Sequence, residues 1–294
     1  KGQARIRTQV SAAHELHHLD LGIEGIGVNL LFGRTEAELV IPEGVTARTN
    51  GANVRVAATQ TGTINTLGVA LGGAGTVGGA GSILVNVFDR TILARVVGAD
   101  TNGTGGVVGA TLLTDGGDLT VDVTQNGTIE ALAGVVAVGG VAGVGGAFGV
   151  SVLSDTAEAS VEDVLVNTAL DVPTNPARPL VGAGNVEVLA TGEIELTSKV
   201  AAAAGGGKGA FGGSVAINVA EGSVTTAVRR STIYTNGLRV DAFVDNTLNA
   251  NAGALAVGGI AGVGMGITTN VSRMTVLADV DGPTVRAQGN VIVE

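Results

Sequence analysis

The sequence has no cysteine and no tryptophan, one tyrosine, three histidines and five prolines in 294 residues. Without cysteine there is no disulfide framework and no thiolate metal site. Aromatic residues are 2% of the chain, so a core must rest on Val, Ile, Leu and Ala. A polysaccharide-processing groove, which uses aromatic platforms beside clustered carboxylates, has little to build from. Charge is sparse as well, at 14% of residues, and it is lopsided, with net charge −10 and pI about 4.7. Binding nucleic acid requires clustered Lys and Arg to displace counterions, and the same acidity works against an anionic membrane surface. Apolar residues make up 45%, too many for ordinary disorder. The opening KGQARIRTQV lacks the apolar core of a signal peptide and reads as the middle of a longer chain.

Glycine, at 49 residues, is what the sequence has in excess. It concentrates in four runs with almost no charge: Gly68–Val87, Gly134–Val152, Val200–Val219 and Gly253–Val271. Their recurrence makes this a repeat protein, and repeats decide the fold. Three anchors mark each unit. An entry strand appears as Asn53–Val56, Asp118–Val121, Asn185–Val188, Leu238–Val240 and Asn290–Val293. A closing pair follows the glycine run at Asn29-Leu30, Asn86-Val87, Ser151-Val152, Asn218-Val219 and Asn270-Val271. Then comes T-x-x-A-x-V, beginning at Thr91, Thr156 and Thr275, with looser copies at Ser223 and Arg34. Successive closing pairs lie 57, 65, 67 and 52 residues apart. The repeats run approximately over 1–50, 51–115, 116–183, 184–235 and 236–288, with 289–294 starting another, in one rod spanning 1–294.

The entry strands alternate with a period of two. Val186 and Val188 oppose Glu187, and Ile194 and Leu196 oppose Glu195, which indicates strand rather than helix. In the glycine runs each interior glycine would cost a helix roughly 1 kcal/mol against alanine, and Ala131–Leu153 contains seven. That stretch is long enough to span a bilayer as a helix. The runs recur, however, without the basic flanks that orient a membrane helix, so no transmembrane span is expected. We read them as extended strands whose glycines let backbones or sheets approach closely. Gly98–Gly117 and the proline-rich Asp171–Val181 read as loops leaving the body.

The pattern AVGG-x-AGVG, the V-N-V-like close and T-x-x-A-x-V, clearest over Ala137–Val161 and Ala256–Val280, resemble repeats of large bacterial filamentous adhesins of the leukotoxin and filamentous-haemagglutinin type. That resemblance implies secretion, display at the cell surface and a long parallel β-helix or solenoid. Ser11–Leu31 departs from it in lacking the Gly-Gly run. Repeat stacking supports the same architecture independently. Since each repeat is longer than a short β-helix coil, about two or three coils per repeat are expected. An array of β-sandwich repeats is the alternative, and a glycine-rich helical bundle a distant third.

His14-Glu15-Leu16-His17-His18 matches H-E-x-x-H, the zinc-protease signature. It falls, though, where the repeat alignment places strand, too extended to close a metal site. The glycine runs lack the Lys-Ser/Thr of a P-loop and the acidic residue of a dinucleotide site. Calcium is conceivable at Asp115, Asp118 and Asp122 or at Asp279 and Asp281, but neither EF-hand nor nonapeptide spacing is present; solvated turn aspartates are the preferred reading. Asn29, Asn86, Asn218 and Asn270 resemble a solenoid asparagine ladder. With several coils per repeat they would lie too far apart to touch and would instead cap one bend in each.

The expected function is therefore structural: a rod or stalk segment of a secreted fibre or adhesin, not an enzyme, with no resident cofactor. Its partners would be further repeats or identical subunits end to end, and a surface receptor. A membrane-active toxin segment is the alternative.

Overall fold

The computed structural model describes residues 5–11, 26–99, 109–168, 183–282 and 284–294, and the histidine motif and Asp171–Val181 lie outside them. In chain order the strands are β1 (Arg5–Ser11), β2 (Ile26–Pro42), β3 (Thr46–Arg48), β4 (Val54–Ala74), β5 (Val77–Ala99), β6 (Thr111–Leu113), β7 (Leu119–Gly139), β8 (Ala142–Glu162) and β9 (Leu165–Val166). They continue as β10 (Val186–Gly206), β11 (Gly209–Arg229), β12 (Thr232–Thr235), β13 (Leu238–Gly258), β14 (Ala261–Asp281), β15 (Thr284–Ala287) and β16 (Val291–Val293). No helix occurs among the described residues.

The chain is a parallel β-solenoid. In each coil one strand runs out along an arm, turns within two residues and comes back as a second strand. A corner and a short third strand then lead into the next coil. Like strands stack on like, giving three sheets: β4-β7-β10-β13-β16, β2-β5-β8-β11-β14 and β3-β6-β9-β12-β15. On the second sheet β1 adds antiparallel to β2.

One repeat makes one coil, not two or three. Val186 pairs with Leu238, Gly209 with Ala261 and Thr232 with Thr284, each 52 positions on. The 21-residue arms account for the length. The longer repeats keep this register, and their extra residues fall between the paired arms: 19 residues separate β9 from β10, against 2 between β12 and β13. A corner insertion leaves every ladder intact, whereas one extra residue inside an arm would turn its buried face outward. Part of Gly98–Gly117 is not a loop, since Thr111–Leu113 forms β6 of the third sheet.

Each glycine run is two strands rather than one. The arm turns lie inside the runs, at 75–76, 140–141, 207–208 and 259–260. The core tapers toward these turns. At the base, where three sheets meet, it holds Ile41, Ile92, Leu112, Val121, Val188 and Ile233. Halfway out it is Ile64, Phe88, Ile129, Leu153, Ile194 and Leu196. Farther out it is mostly alanine, such as Ala70, Ala133, Ala147, Ala202 and Ala216. Burying Ile194 or Leu196 is worth about 1.5–3 kcal/mol each; in the distal arm close approach replaces side-chain bulk. A Cβ at Gly139 or Gly258 would run into the carbonyl oxygen of Ala142 or Ala261 on the facing strand. At Gly140 and Gly259 it would meet the carbonyl of Gly75 or Gly207 in the coil beneath. These glycines are required by contact between backbones.

The corner after the second sheet stacks Asp163, Arg230 and Gly282, all in left-handed conformation (φ 58, 47 and 63). A corner that demands positive φ explains glycine or aspartate there, and arginine at the same place is held by its partner below.

Candidate interaction surface and buried polar columns

Charge gathers at the base, and it pairs between coils. Arg48 meets Asp115 through Nε and Nη2 at 2.5 and 2.8 Å, and Arg55 meets Asp122 with both bonds at 2.9 Å. Arg230 grips Asp163 at 2.8 and 2.7 Å. Arg229 bridges coils on both sides, reaching Glu162 and Asp279 at 3.3 Å each. The Arg48 hydrogen bond holds the Asp115 carboxyl below the usual range. Burial pushes Glu36 up, but hydrogen bonds from Arg34 and Arg95 outweigh it and leave the carboxyl low.

These pairings account for the aspartates singled out for calcium. Asp115 and Asp122 face arginines one coil away. Asp118 accepts from the backbone N–H of Asn185 at 2.8 Å, while its own N–H donates to Asn53 Oδ1 at 2.9 Å. Asp279 pairs with Arg229, and the Asp281 carbonyl accepts from the Arg230 N–H at 3.0 Å. Among the described residues no three His, Cys, Asp or Glu come together as a metal-binding group.

Two polar columns run through the core. The asparagines do touch, contrary to the sequence expectation, because each lies one coil from the next and in the middle of a strand, not at a bend. Asn29 Nδ2 donates to Asn86 Oδ1 at 2.9 Å, and Asn218 Nδ2 to Asn270 Oδ1 at 3.1 Å. Asn86 Nδ2 also donates to Thr66 Oγ1 at 2.9 Å. Ser151 takes the middle place, and its hydroxyl lies 3.1 Å from that of Ser198, which donates to Asn218 Oδ1 at 2.5 Å.

The second column is an ion pair the sequence reading missed. Arg90 and Asp155 both have fully buried side chains. Arg90 donates through Nε and Nη2 to the carboxylate at 2.9 and 2.5 Å and through Nη1 to the Asn126 carbonyl at 2.8 Å. Its guanidinium lies 4.3 Å from the centre of the Phe88 ring. Gln125 Nε2 donates to the same carboxylate, and Gly127 leaves the space the guanidinium fills. Burial pushes the Asp155 carboxyl up, opposed in part by Arg90 and Gln125. The signal was present: aligning Asn86 with Ser151 sets Arg90 against Asp155. Apart from Gln125 Oε1, which has no hydrogen-bond partner, the polar groups named in these columns are engaged within the rod, which suits stabilisation.

No protein-family model, curated protein or solved structure matches this chain. The molecule's own surface must therefore indicate its use.

That surface is divided. The outer faces of the distal arms carry exposed apolar side chains on both long sheets. Leu67, Leu71, Val138, Leu255 and Val257 lie on one, and Ile83, Val144, Phe211, Val263 and Met265 on the other. The arm turns add Val141 and Ile260, the latter 81% exposed, and Val77 follows the first turn at the start of β5. From Ala131 to Leu153 and from Ala250 to Ser272 there is no charged residue. A monomer rarely exposes contiguous apolar area beyond a few hundred Å² without a use for it. Across the second sheet runs an open groove of about 860 Å³ floored by Gly81, Gly146 and Gly213.

Proposed function

We propose that this chain is a structural rod or stalk segment of a secreted bacterial surface fibre or adhesin, serving display, adhesion or filament assembly rather than catalysis. The observation that carries this reading is the constancy of register. Whole 21-residue arms pair position for position from β7 through β10 to β13 and from β8 through β11 to β14. Such an array gains length by translation, about 4.8 Å per coil, and buries each coil against its neighbours. Arg48, Arg55, Arg90, Arg229 and Arg230 tie neighbouring coils together. Electron microscopy of the native particle tests the reading: a uniform thin rod agrees with it, and a globule overturns it.

The uncharged arm ends favour one second reading, a membrane-active segment of a large secreted toxin. Leakage from liposomes on adding purified protein would support it, and intact liposomes would remove it.

A further inference from the structure

We propose that the outer face of the distal arm on the β5-β8-β11-β14 sheet is a rod-pairing surface, and that its occupant is the same face of a second copy of this chain. The inference holds whether or not the rod belongs to a surface fibre.

It starts from glycines the fold does not need. Glycine inside a strand costs conformational entropy and offers nothing to pack. Many arm glycines point inward, where a Cβ would strike backbone or a buried side chain. Gly79, Gly134, Gly205 and Gly253 point outward with room for a Cβ, and so do Gly81, Gly146 and Gly213, which line up in one row. A Cβ at Gly146 would meet nothing within 4 Å, at Gly81 only an oxygen at 3.9 Å, and at Gly213 the Phe211 ring at 3.5 Å. None of the three has positive φ. Something outside the coil accounts for them.

The register sets these glycines side by side across three coils, and Met265 extends the row. Two residues farther along each strand, Ile83, Phe148, Val215 and Ile267 form a parallel ridge. Over the three coils of β5, β8 and β11 a floor of glycine beside a ridge of large apolar side chains is self-complementary, while in the fourth coil Met265 comes opposite Ile267. A two-fold axis parallel to the rod, passing over Ala147, sets the ridge of each copy in the glycine row of the other. The rods then run in the same sense, with arms pointing in opposite directions.

The neighbouring rows meet as mainly apolar surfaces. The row of Val144, with Gly79, Phe211 and Val263, comes opposite that of Val150, with Val85, Ile217 and Thr269. The row of Ala142, with Val77, Gly209 and Ala261, comes opposite that of Val152, with Val87, Val219 and Val271. The next row inward from Val152 holds Asp89, Glu221 and Arg273, and the symmetry leaves it just beyond the partner's arm turn. The uncharged zone ends where the overlap ends.

The area suffices. About 12 residues at ~3.3 Å, across four to five strands ~4.8 Å apart, give on the order of 800–950 Å² per copy, against about 800 Å² per partner in a standard specific interface. An isologous contact of this kind closes as a pair. Lipid is the weaker occupant. Acyl chains mould to any apolar surface and give no reason for a glycine row, and the border of this face carries Asp89 and Glu221.

Sedimentation velocity on the full 294-residue chain, with and without Gly146→Leu, tests this. Leucine there enters open space, so the variant should keep the parent's circular-dichroism spectrum while its dimer dissociates at least tenfold more readily. Gly253→Leu, likewise unobstructed but on the opposite sheet, should pair as the parent does. A second measurement uses the absence of cysteine. Gly146→Cys mixed with Phe148→Cys and oxidised should give a covalent dimer of twice the 28.7 kDa chain mass, far more readily than either variant alone. A parent that stays monomeric at its highest soluble concentration overturns the proposal. So does a Gly146→Leu variant that pairs like the parent, equal cross-linking of each cysteine variant by itself, or flotation with phosphatidylcholine vesicles by a chain that does not pair.

Discussion

Asn218 and Asn270 stand 52 positions apart in the chain and 3.1 Å apart through their side-chain amides, one step along the rod. Asn218 Nδ2 also bonds the carbonyls of Asn249 at 2.8 Å and Leu196 at 3.2 Å. Substituting leucine removes every one of these donations and takes the Asn218 Oδ1 acceptor from the Ser198 hydroxyl. Asn218→Leu should lower stability by about 1–3 kcal/mol, the cost of unsatisfied buried polar groups. The urea midpoint should fall with an unchanged slope.

Arg90→Met should cost more, about 3–5 kcal/mol, because it leaves Asp155 buried without its cation. Arg90→Met with Asp155→Leu should recover most of that loss. A double variant no more stable than the single one would mean that packing, not charge, dominates the site.

The pH dependence of Arg90→Met follows from the direction of the Asp155 shift. Burial raises its folded pKa above the unfolded value. Between the two values the folded chain holds more protons than the unfolded one, so stability falls as pH rises through that window. Removing the guanidinium that opposes burial should deepen this fall. Urea unfolding across the weakly acidic range should show it, steeper than in the parent.

Asp115 should behave in the opposite sense. Its folded pKa is depressed by Arg48, so its contribution is present above the ordinary aspartate range and is lost as pH falls through the depressed value. Arg48→Gln should lower stability slightly in the neutral region, leave it unchanged below the depressed value, and so flatten the acid limb of the stability curve. An unaltered acid limb in a pH series of melting temperatures would rule out this pair as its source.

Two classes of glycine should separate on substitution. Gly139→Ala and Gly258→Val place carbon against facing backbone and should destabilise by about 1–3 kcal/mol through overpacking. Gly146→Ala, in open space, should be neutral or gain up to about 1 kcal/mol. Melting curves of dilute protein compare the three directly.

Much of this architecture could be read from the anchors. Period-two alternation at Val186, Val188, Ile194 and Leu196 gave strand, and the entry strands and closing asparagines marked equivalent positions in successive coils. The coil length could not be read that way, because a coil with 21-residue arms differs from the short coil against which the repeat was judged. The arm turns were hidden as well. Gly140-Val141 and Gly259-Ile260 sit in runs that vary in side-chain size and hardly in polarity, so no change of face is visible there. Asp115 and Asp122 read as solvated turn aspartates because Arg48 and Arg55 are each 67 positions away. The paired surface was legible only in part: the glycine runs signalled close approach, but inward and outward glycines look alike until the register is known.

The confinement of insertions to corners bears on how such a chain can change over generations. Along an arm, a gain or loss of one codon inverts every later side chain up to the next corner. A gain at a corner costs no ladder, and the duplication of one whole coil returns every column to register with an extra member. Heritable variation in this molecule therefore has two tolerated forms: free lengthening at the corners, and whole coils, here 52 to 67 codons long, along the axis.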